Sequence, residues 1–437
     1  MATDSYSSAA KSVPDHGSNH HHSYGAVCAA PRDDSELDVL CACGNRGRFT
    51  EASRSIHRDL RSQPAGGYDQ CAMKDFIPGI KLARKFYQEA VRPVLESDFS
   101  GMPYSAALIG TGSEVLGFDT EMSTDHHWGP RAMLFLRESD HEYYANAITE
   151  SLRQKLPVSF CGYSTNYSEP DPRDHHVQHL QVIEKGPVNH RVEVRTIRGF
   201  FLDYLGFELD QALEPPDWLT FPEQKLRTII AGAVYHDELG LQAVRDRFKY
   251  YPRDVWLYLM ACGWNRIGQE EHLMGRAGLL GDELGSALIG SRLVRDLMRL
   301  CFLMERQYAP YPKWFGTAFV QLICAKVLSP SLRRVQFAKT WAKREQGLTE
   351  AYQLVAAMHN ALEITEPLPT TVRDFFGRPF KVIALQGFAE VLCSRIIDPK
   401  VQRIANRHLI GGIDMISDNT DILSDPHWRP ILRDLFA

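Results

Sequence analysis

The sequence predicts an α+β protein, with a small α/β domain built on a mixed sheet followed by a larger all-α domain. Three observations predict it. Apolar runs at 104–109 and 132–136, with an alternating run at 191–197, read as strands bounded by turn residues. The stretches 80–95 and 140–156 repeat their apolar residues at helical spacing. Beyond Pro215-Pro216 that spacing continues to the C-terminus, punctuated by Pro and Gly. The expected organisation is a tail over 1–72, an α/β domain over 73–214 and a helical domain over 215–437.

Residues 1–72 are rich in Ser, Gly, Asp and Arg and show little hydrophobic period, so they read as a disordered N-terminal tail. The run His20-His21-His22 and the pair Cys41, Cys43 match no zinc spacing. The first helix places Leu82, Phe86 and Ala90 in one row and Ala83, Tyr87, Val91 and Val94 in the next, and Pro93 is expected to kink or end it. Strands follow at Tyr104–Ile109 and Ala132–Leu136. A helix over 140–156 lines up Tyr143, Tyr144, Ile148, Leu152 and Leu156 on one face. Residues 157–176 read as loop. A strand pair is expected at Val177–Glu184 and Arg191–Ile197, joined by a turn at Lys185-Gly186-Pro187. Helices are then expected at 222–235, 238–249, 252–277, 280–306, 312–327, 331–344, 347–361 and 378–394.

A chain of 437 residues, 44% hydrophobic, has room for two or three domains and a sizeable core. The 49 basic residues are balanced by 54 acidic ones, for a net charge of −5, so neither a long nucleic acid nor an anionic membrane is an expected partner. Nine cysteines, odd in number and irregular in spacing, argue against a disulfide framework and for a reducing compartment. Cys262, Cys301, Cys324 and Cys393 sit among apolar residues. Apolar runs are too short to span a bilayer, so a cytoplasmic protein is expected.

The most specific stretch is Ala107-Leu-Ile-Gly-Thr-Gly-Ser-Glu-Val-Leu-Gly117, followed by Ser123-Thr-Asp-His-His-Trp-Gly-Pro-Arg131. Gly112-Ser113 after an apolar strand offers backbone N–H groups to phosphates at close approach. Transfer of a nucleotide needs, besides that turn, carboxylates for hard divalent cations. Asp125 at the edge of the second strand and Glu193 on a later one are the candidates, with Ser123 beside them. Arg131 is expected either to bind phosphate or to tie Glu193 in place. In the helical half, Pro310-Tyr311-Pro312-Lys313-Trp314 breaks a helix and presents a shaped surface, with Lys313 for a triphosphate and Trp314 or Tyr311 to stack a ring.

The pattern resembles the polymerase-β-type nucleotidyltransferase superfamily: apolar strand, Gly-Ser, Asp-x-Asp or Asp-x-Glu, then a third acid on a later strand. The strings Ser123-x-Asp-His-x-Trp-Gly-Pro-Arg131, Arg306-Gln-Tyr-Ala-Pro-Tyr-Pro-Lys-Trp-Phe-Gly316, Arg378-Pro-Phe380 and Ser417-Asp-Asn-Thr-Asp-Ile-Leu423 resemble a narrower, uncharacterised family, DUF4037, over roughly residues 77–437. The resemblance implies a nucleotidyltransferase-like α/β domain with a helical domain closing the cleft. It implies magnesium or manganese and a nucleoside triphosphate as co-substrate. Asp125 and Glu193 would hold metal, with His127 in the remaining ligand place, and Gly112, Ser113, Ser123, Arg131 and Lys313 would hold the nucleotide. By analogy with kanamycin-modifying enzymes, Glu305 would be the base.

Residue 127 departs from the pattern, which asks there for a carboxylate. Magnesium disfavours nitrogen ligands. Three outcomes follow: one metal on Asp125 and Glu193, a softer ion such as manganese or zinc, or lost catalysis. Asp119-Thr-Glu121 is a second Asp-x-Glu, read as a solvated loop. Each candidate has a plainer alternative: a strand-to-helix turn at Gly112-Ser113, a cap at Asp125, a polar rim at His126 and His127, an Arg partner for Glu193, a packed helix corner at Lys313. The leading expectation is transfer of a nucleoside monophosphate to a small-molecule or protein acceptor. The alternative is a nucleotide-binding or interaction module without that chemistry.

Overall fold

The computed structural model describes residues 76–125, 127–173 and 176–437, apart from the side chain of Asp125. The expected tail, with its His and Cys runs, and His126 lie outside the described residues. The described residues pack as one compact unit. Its sheet has, among the described residues, four strands in the order β5-β2-β1-β6. These are β1 Ser105–Leu108, β2 Arg131–Leu136, β5 Arg191–Thr196 and β6 Ala233–Asp237. A small hairpin, β3 Ser159–Phe160 and β4 Tyr163–Ser164, lies between β2 and β5 in the chain. β1 runs antiparallel to β2 and β6, whereas β5 runs parallel to β2. The sheet is therefore mixed, as expected.

The first helix runs as α1 Gly79–Phe86, a π-turn Tyr87–Val91 and α2 Arg92–Asp98. Pro93 does not end it, because the wider turn just ahead absorbs the missing N–H and the ring. Then come α3 Ser113–Leu116, α4 Glu138–Lys155, α5 Ile197–Leu205, α6 Pro215–Thr220, α7 Glu223–Ile230 and α8 Leu241–Asp246. The helical part continues with α9 Arg253–Leu279, α10 Glu283–Met304, α11 Pro312–Phe319, α12 Ala325–Phe337 and α13 Trp341–Ala361.

Alternation along the strands sorts the side chains into two cores. Ala107, Met133 and Phe135 face the large core shared with α5, α7, α9 and α10. Ala106, Leu134, Leu136 and Val192 face a second core with Phe86, Tyr87, Ile148 and Leu152. Cys262, Cys301 and Cys324 are buried thiols in the large core, and Cys393 is half-buried.

Four expectations are corrected. Val177–Glu184 is not a strand of the sheet: its backbone serves the 166–171 loop, with Gln181 N–H donating to Asn166 and Ser168 N–H to the carbonyl of His179. Residues 233–235 are not the end of a helix but part of β6, because Gly232 at φ 72° breaks α7 and turns the chain beside β1. A Cβ at Gly232 would strike the carbonyl oxygen of Leu108, so only glycine permits that approach. The helix expected over 312–327 stops as α11 at Phe319, and the break expected at 328–330 lies inside α12. The helix expected over 378–394 begins as a hairpin, β7 Arg373–Phe375 and β8 Arg378–Val382, in which Phe380 and Val382 alternate inward, before α14 Phe388–Ser394. The boundary placed at 214–220 thus has sheet on both sides, since β6 lies beyond it.

Candidate active site

Strand directions bring the chemistry to one end of the sheet. β1 ends where β2 and β6 begin, and β5 begins where β2 does, with Arg131 and Arg191 as direct register partners. A cleft of about 780 Å³ opens there. Its sheet side carries Gly112, Ser113, Arg131, Glu193 and Arg191, and its helical side Lys225, Thr228, Tyr311, Lys313 and Trp314.

Gly112 holds φ 142° and caps the short helix α3, which begins at Ser113. That conformation belongs to glycine, and a Cβ there would collide with the Arg131 guanidinium and the Glu114 carboxylate. The loop is fixed behind it: Gly110 N–H donates to the Thr228 carbonyl and Gly232 N–H to that of Val115.

Arg131 does not tie Glu193. It is buried against Glu114, with Nε at 2.7 Å and Nη2 at 2.6 Å from Oε1, and Nη2 also donates to the Thr111 carbonyl at 2.5 Å. Burial acts against its charge, but Glu114, with help from Glu193, leaves its pKa raised. Arg131 therefore shapes the turn from beneath.

Glu193 lies half-buried on β5 in the cleft, with no ion-pair or hydrogen-bond partner shown for its carboxylate among the described residues. Ser123 lines the cleft within a 3-10 turn, Glu121–Asp125, and its hydroxyl accepts from Thr120 N–H. The side chain of Asp125 lies outside the described residues. His127 sits at φ 51°, an uncommon conformation for a residue with a Cβ, and its N–H donates to the Gln178 carbonyl. Nη1 of Arg191 donates to His127 Nδ1. Because arginine only donates, that nitrogen carries no proton. Nδ1 of His127 thus faces a guanidinium.

Glu305 is also corrected. Both its oxygens are occupied by the N–H groups of Ile323 and Cys324, each at 2.8 Å, where it caps the turn into α12, and it does not line the cleft. Asp119 is no solvated acid either. It accepts from Gly79 N–H at 2.6 Å and Trp128 Nε1 at 3.0 Å, locking the entry of α1 to the buried Trp128. On the helical side, Trp314 packs on Phe118 with ring centroids 5.5 Å apart, and Lys313 lies over Trp314 at the exposed rim.

Two cleft residues escaped the sequence reading. Arg191 opens β5 and is held over the Tyr167 ring; burial and then the nearby Arg131 lower its pKa. Lys225 on α7 donates to the Tyr204 carbonyl at 2.7 Å, at the end of α5, and burial pushes its ammonium down to about 8. The signal for Arg191 was the alternation of β5. Nothing local marks Lys225.

No three His, Cys, Asp or Glu side chains converge as a metal cage among the described residues. Magnesium needs no such cage when it arrives on phosphate, since one or two carboxylates suffice. Glu193 fits that demand.

Residues 218–315 match DUF4037, a family described as a domain of unknown function. The likeness holds for this part of the chain. These residues supply the helical side of the cleft, Lys225, Thr228, Tyr311, Lys313 and Trp314, together with β6. The resemblance drawn over 77–437 is matched over this shorter span, which leaves Gly112, Ser113, Arg131 and Glu193 outside the matched residues. The chain is similar to a solved nucleotidyltransferase-like protein from Exiguobacterium sibiricum, at 9% identity and a TM-score of 0.29, over 72% of this chain and 91% of that one. No curated protein matches the chain. Among the described residues no helix is long and apolar enough to cross a membrane.

Proposed function

We propose that the cleft binds a nucleoside triphosphate and transfers its nucleoside monophosphate to a hydroxyl or amine of a small molecule or protein. The observation that carries this reading is the row formed by the Gly112 turn and Glu193 at one end of the sheet, faced across one cleft by Lys225, Lys313 and Trp314. Backbone N–H groups at Gly112 and Ser113 cradle the phosphates. Lys225 and Lys313 neutralise them from the helical side, and Trp314 with Tyr311 offers a stacking surface for the base. A magnesium or manganese ion held by Glu193 and Asp125 would neutralise the triphosphate and orient it. The acceptor atom forms its bond to the α-phosphorus, the bond from that phosphorus to the bridging oxygen breaks, and pyrophosphate leaves with the electron pair. The acceptor's proton passes to solvent water.

A second reading has its own observation. His127 is turned onto Arg191 in the place where the superfamily pattern asks for a carboxylate. That favours a module that binds nucleotide without transfer.

The test is a thermal-shift screen of the four NTPs with magnesium, manganese and zinc, paired with an assay of pyrophosphate release. Metal-dependent stabilisation with pyrophosphate release, lost in Asp125→Asn and Glu193→Gln, is the result expected of a transferase. Stabilisation without release supports the binding module. The absence of any NTP shift refutes both.

A further inference from the structure

The cleft face of β5 carries Arg191, Glu193 and Arg195, spaced by two so that all three point the same way. Their surroundings differ. Arg195 is ion-paired with Asp203 of α5. Arg191 has no carboxylate at ion-pair distance among the described residues. Its guanidinium is instead pinned by His127 Nδ1 and by the Tyr167 ring, 5.7 Å from the centroid. Neither partner carries negative charge. A half-buried cation with no carboxylate in contact among the described residues, only the more distant charges of Glu193 and Glu114, is held at a cost, and a ligand anion lowers that cost.

Strand order sets Arg191 apart from the phosphate turn. β2 separates β5 from β1, so the start of β5 stands about 10 Å from the end of β1, two strand spacings across. The cation between them, Arg131, is already neutralised by Glu114. Glu193 follows Arg191 on the same face of the strand. An anion at Arg191 therefore sits at the same end of the sheet as the turn, beside the carboxylate assigned to the metal and two strands across from β1.

We infer that Arg191, oriented by His127, binds an anionic group of the acceptor, so that the acceptor is a small molecule bearing a carboxylate or phosphate close to its attacking hydroxyl or amine. This rests on the nucleotidyl-transfer reading for the word acceptor, but the anion site itself does not. The fork of the guanidinium takes two oxygens of either group. His127 Nδ1 accepts from that fork and fixes its plane.

The experiment is a thermal-shift titration of the full chain with inorganic phosphate and with malonate, each alone and on top of saturating ATP with magnesium. Both probes are expected to stabilise the wild type further in the presence of ATP. Arg191→Met is expected to weaken the probes about tenfold or more while leaving the ATP shift in place, which also reports that the variant is folded. Arg191→Lys keeps charge without the fork and should fall between the two. Competition between the probes and ATP, or loss of the ATP shift in Arg191→Met, would put Arg191 in the triphosphate subsite and overturn the inference. Absence of any probe effect on a wild type that binds ATP overturns it as well. If the probes bind through Arg191 and no NTP binds, the anion site stands and the nucleotide reading falls.

Discussion

Arg131 and Glu114 meet beneath the Gly112 turn, with Arg131 Nη2 2.6 Å from Glu114 Oε1 and the same nitrogen bonded to the Thr111 carbonyl. The pair is buried beneath the turn that lines the cleft at Gly112 and Ser113. Removing one partner leaves an unpaired buried charge. Arg131→Met is expected to lose about 3–5 kcal/mol of stability, and the double variant with Glu114→Met to recover most of it. Urea unfolding of the four proteins in the cycle measures this. Equal stability of Arg131→Met and the wild type would show that the pair does not hold the turn.

Gly112→Ala places a methyl group where Arg131 and Glu114 meet, at a backbone angle suited to glycine. A loss of about 1–3 kcal/mol is expected from the strained backbone alone. The thermal shift given by ATP and metal should disappear in this variant. A retained shift of normal size would remove the turn from the phosphate site.

Lys225 gives a pH signature. Its ammonium loses charge as pH rises through about 8, and only the charged form attracts phosphate. ATP affinity is therefore expected to fall through that range by up to about tenfold. Bound phosphate raises the midpoint, since it favours the charged amine. Lys225→Arg should flatten the profile, and calorimetric titrations at three or four pH values would show whether it does.

Glu271 predicts a stability profile of opposite origin. It is buried on α9 and accepts from the N–H groups of Ile383 and Ala384. Those donors favour the carboxylate, but burial outweighs them and raises its pKa from 4.5 to about 7. The folded state thus holds a proton that the unfolded chain releases first, so stability is full below about 4.5 and is lost as pH rises toward about 7. The loss amounts to about 3 kcal/mol. Glu271→Gln should remove this slope in chemical denaturation.

Glu305→Ala separates the cap from the chemistry. Without its two acceptor contacts to Ile323 and Cys324, the start of α12 should lose about 1 kcal/mol. Nucleotide binding and pyrophosphate release should stay at wild-type levels. A collapse of release with unchanged stability would return Glu305 to the reaction.

The strands β1, β2 and β5 and the long helices α9 and α10 were legible because their apolar periods are uninterrupted. β6 was not, because Ala233-Val-Tyr-His-Asp237 follows a helix without a polar break, and the one signal was Gly232. At the site, Gly112, Ser113 and Glu193 were legible from residue type and strand edge. Arg191 takes its meaning from the parallel pairing with β2 and from His127, and Lys225 from a carbonyl on α5. Neither relationship is written in local spacing. Glu305 misled because an acid beside a helix end reads alike whether it faces a substrate or a neighbouring turn.

The pairing of β1 with β6 bears on how the chain is born. The hydroxyl of Ser105 bonds to the carboxylate of Asp237, 132 residues later. A growing chain that has already emerged past β2 and β5 still presents β1 with one bare edge, and strands bare on one side seek partners on other chains. At ordinary elongation rates that interval lasts several seconds or more. The nascent protein is therefore most exposed to mispairing while its phosphate turn is already synthesised, and a truncated product ending before Ala233 would keep that edge permanently.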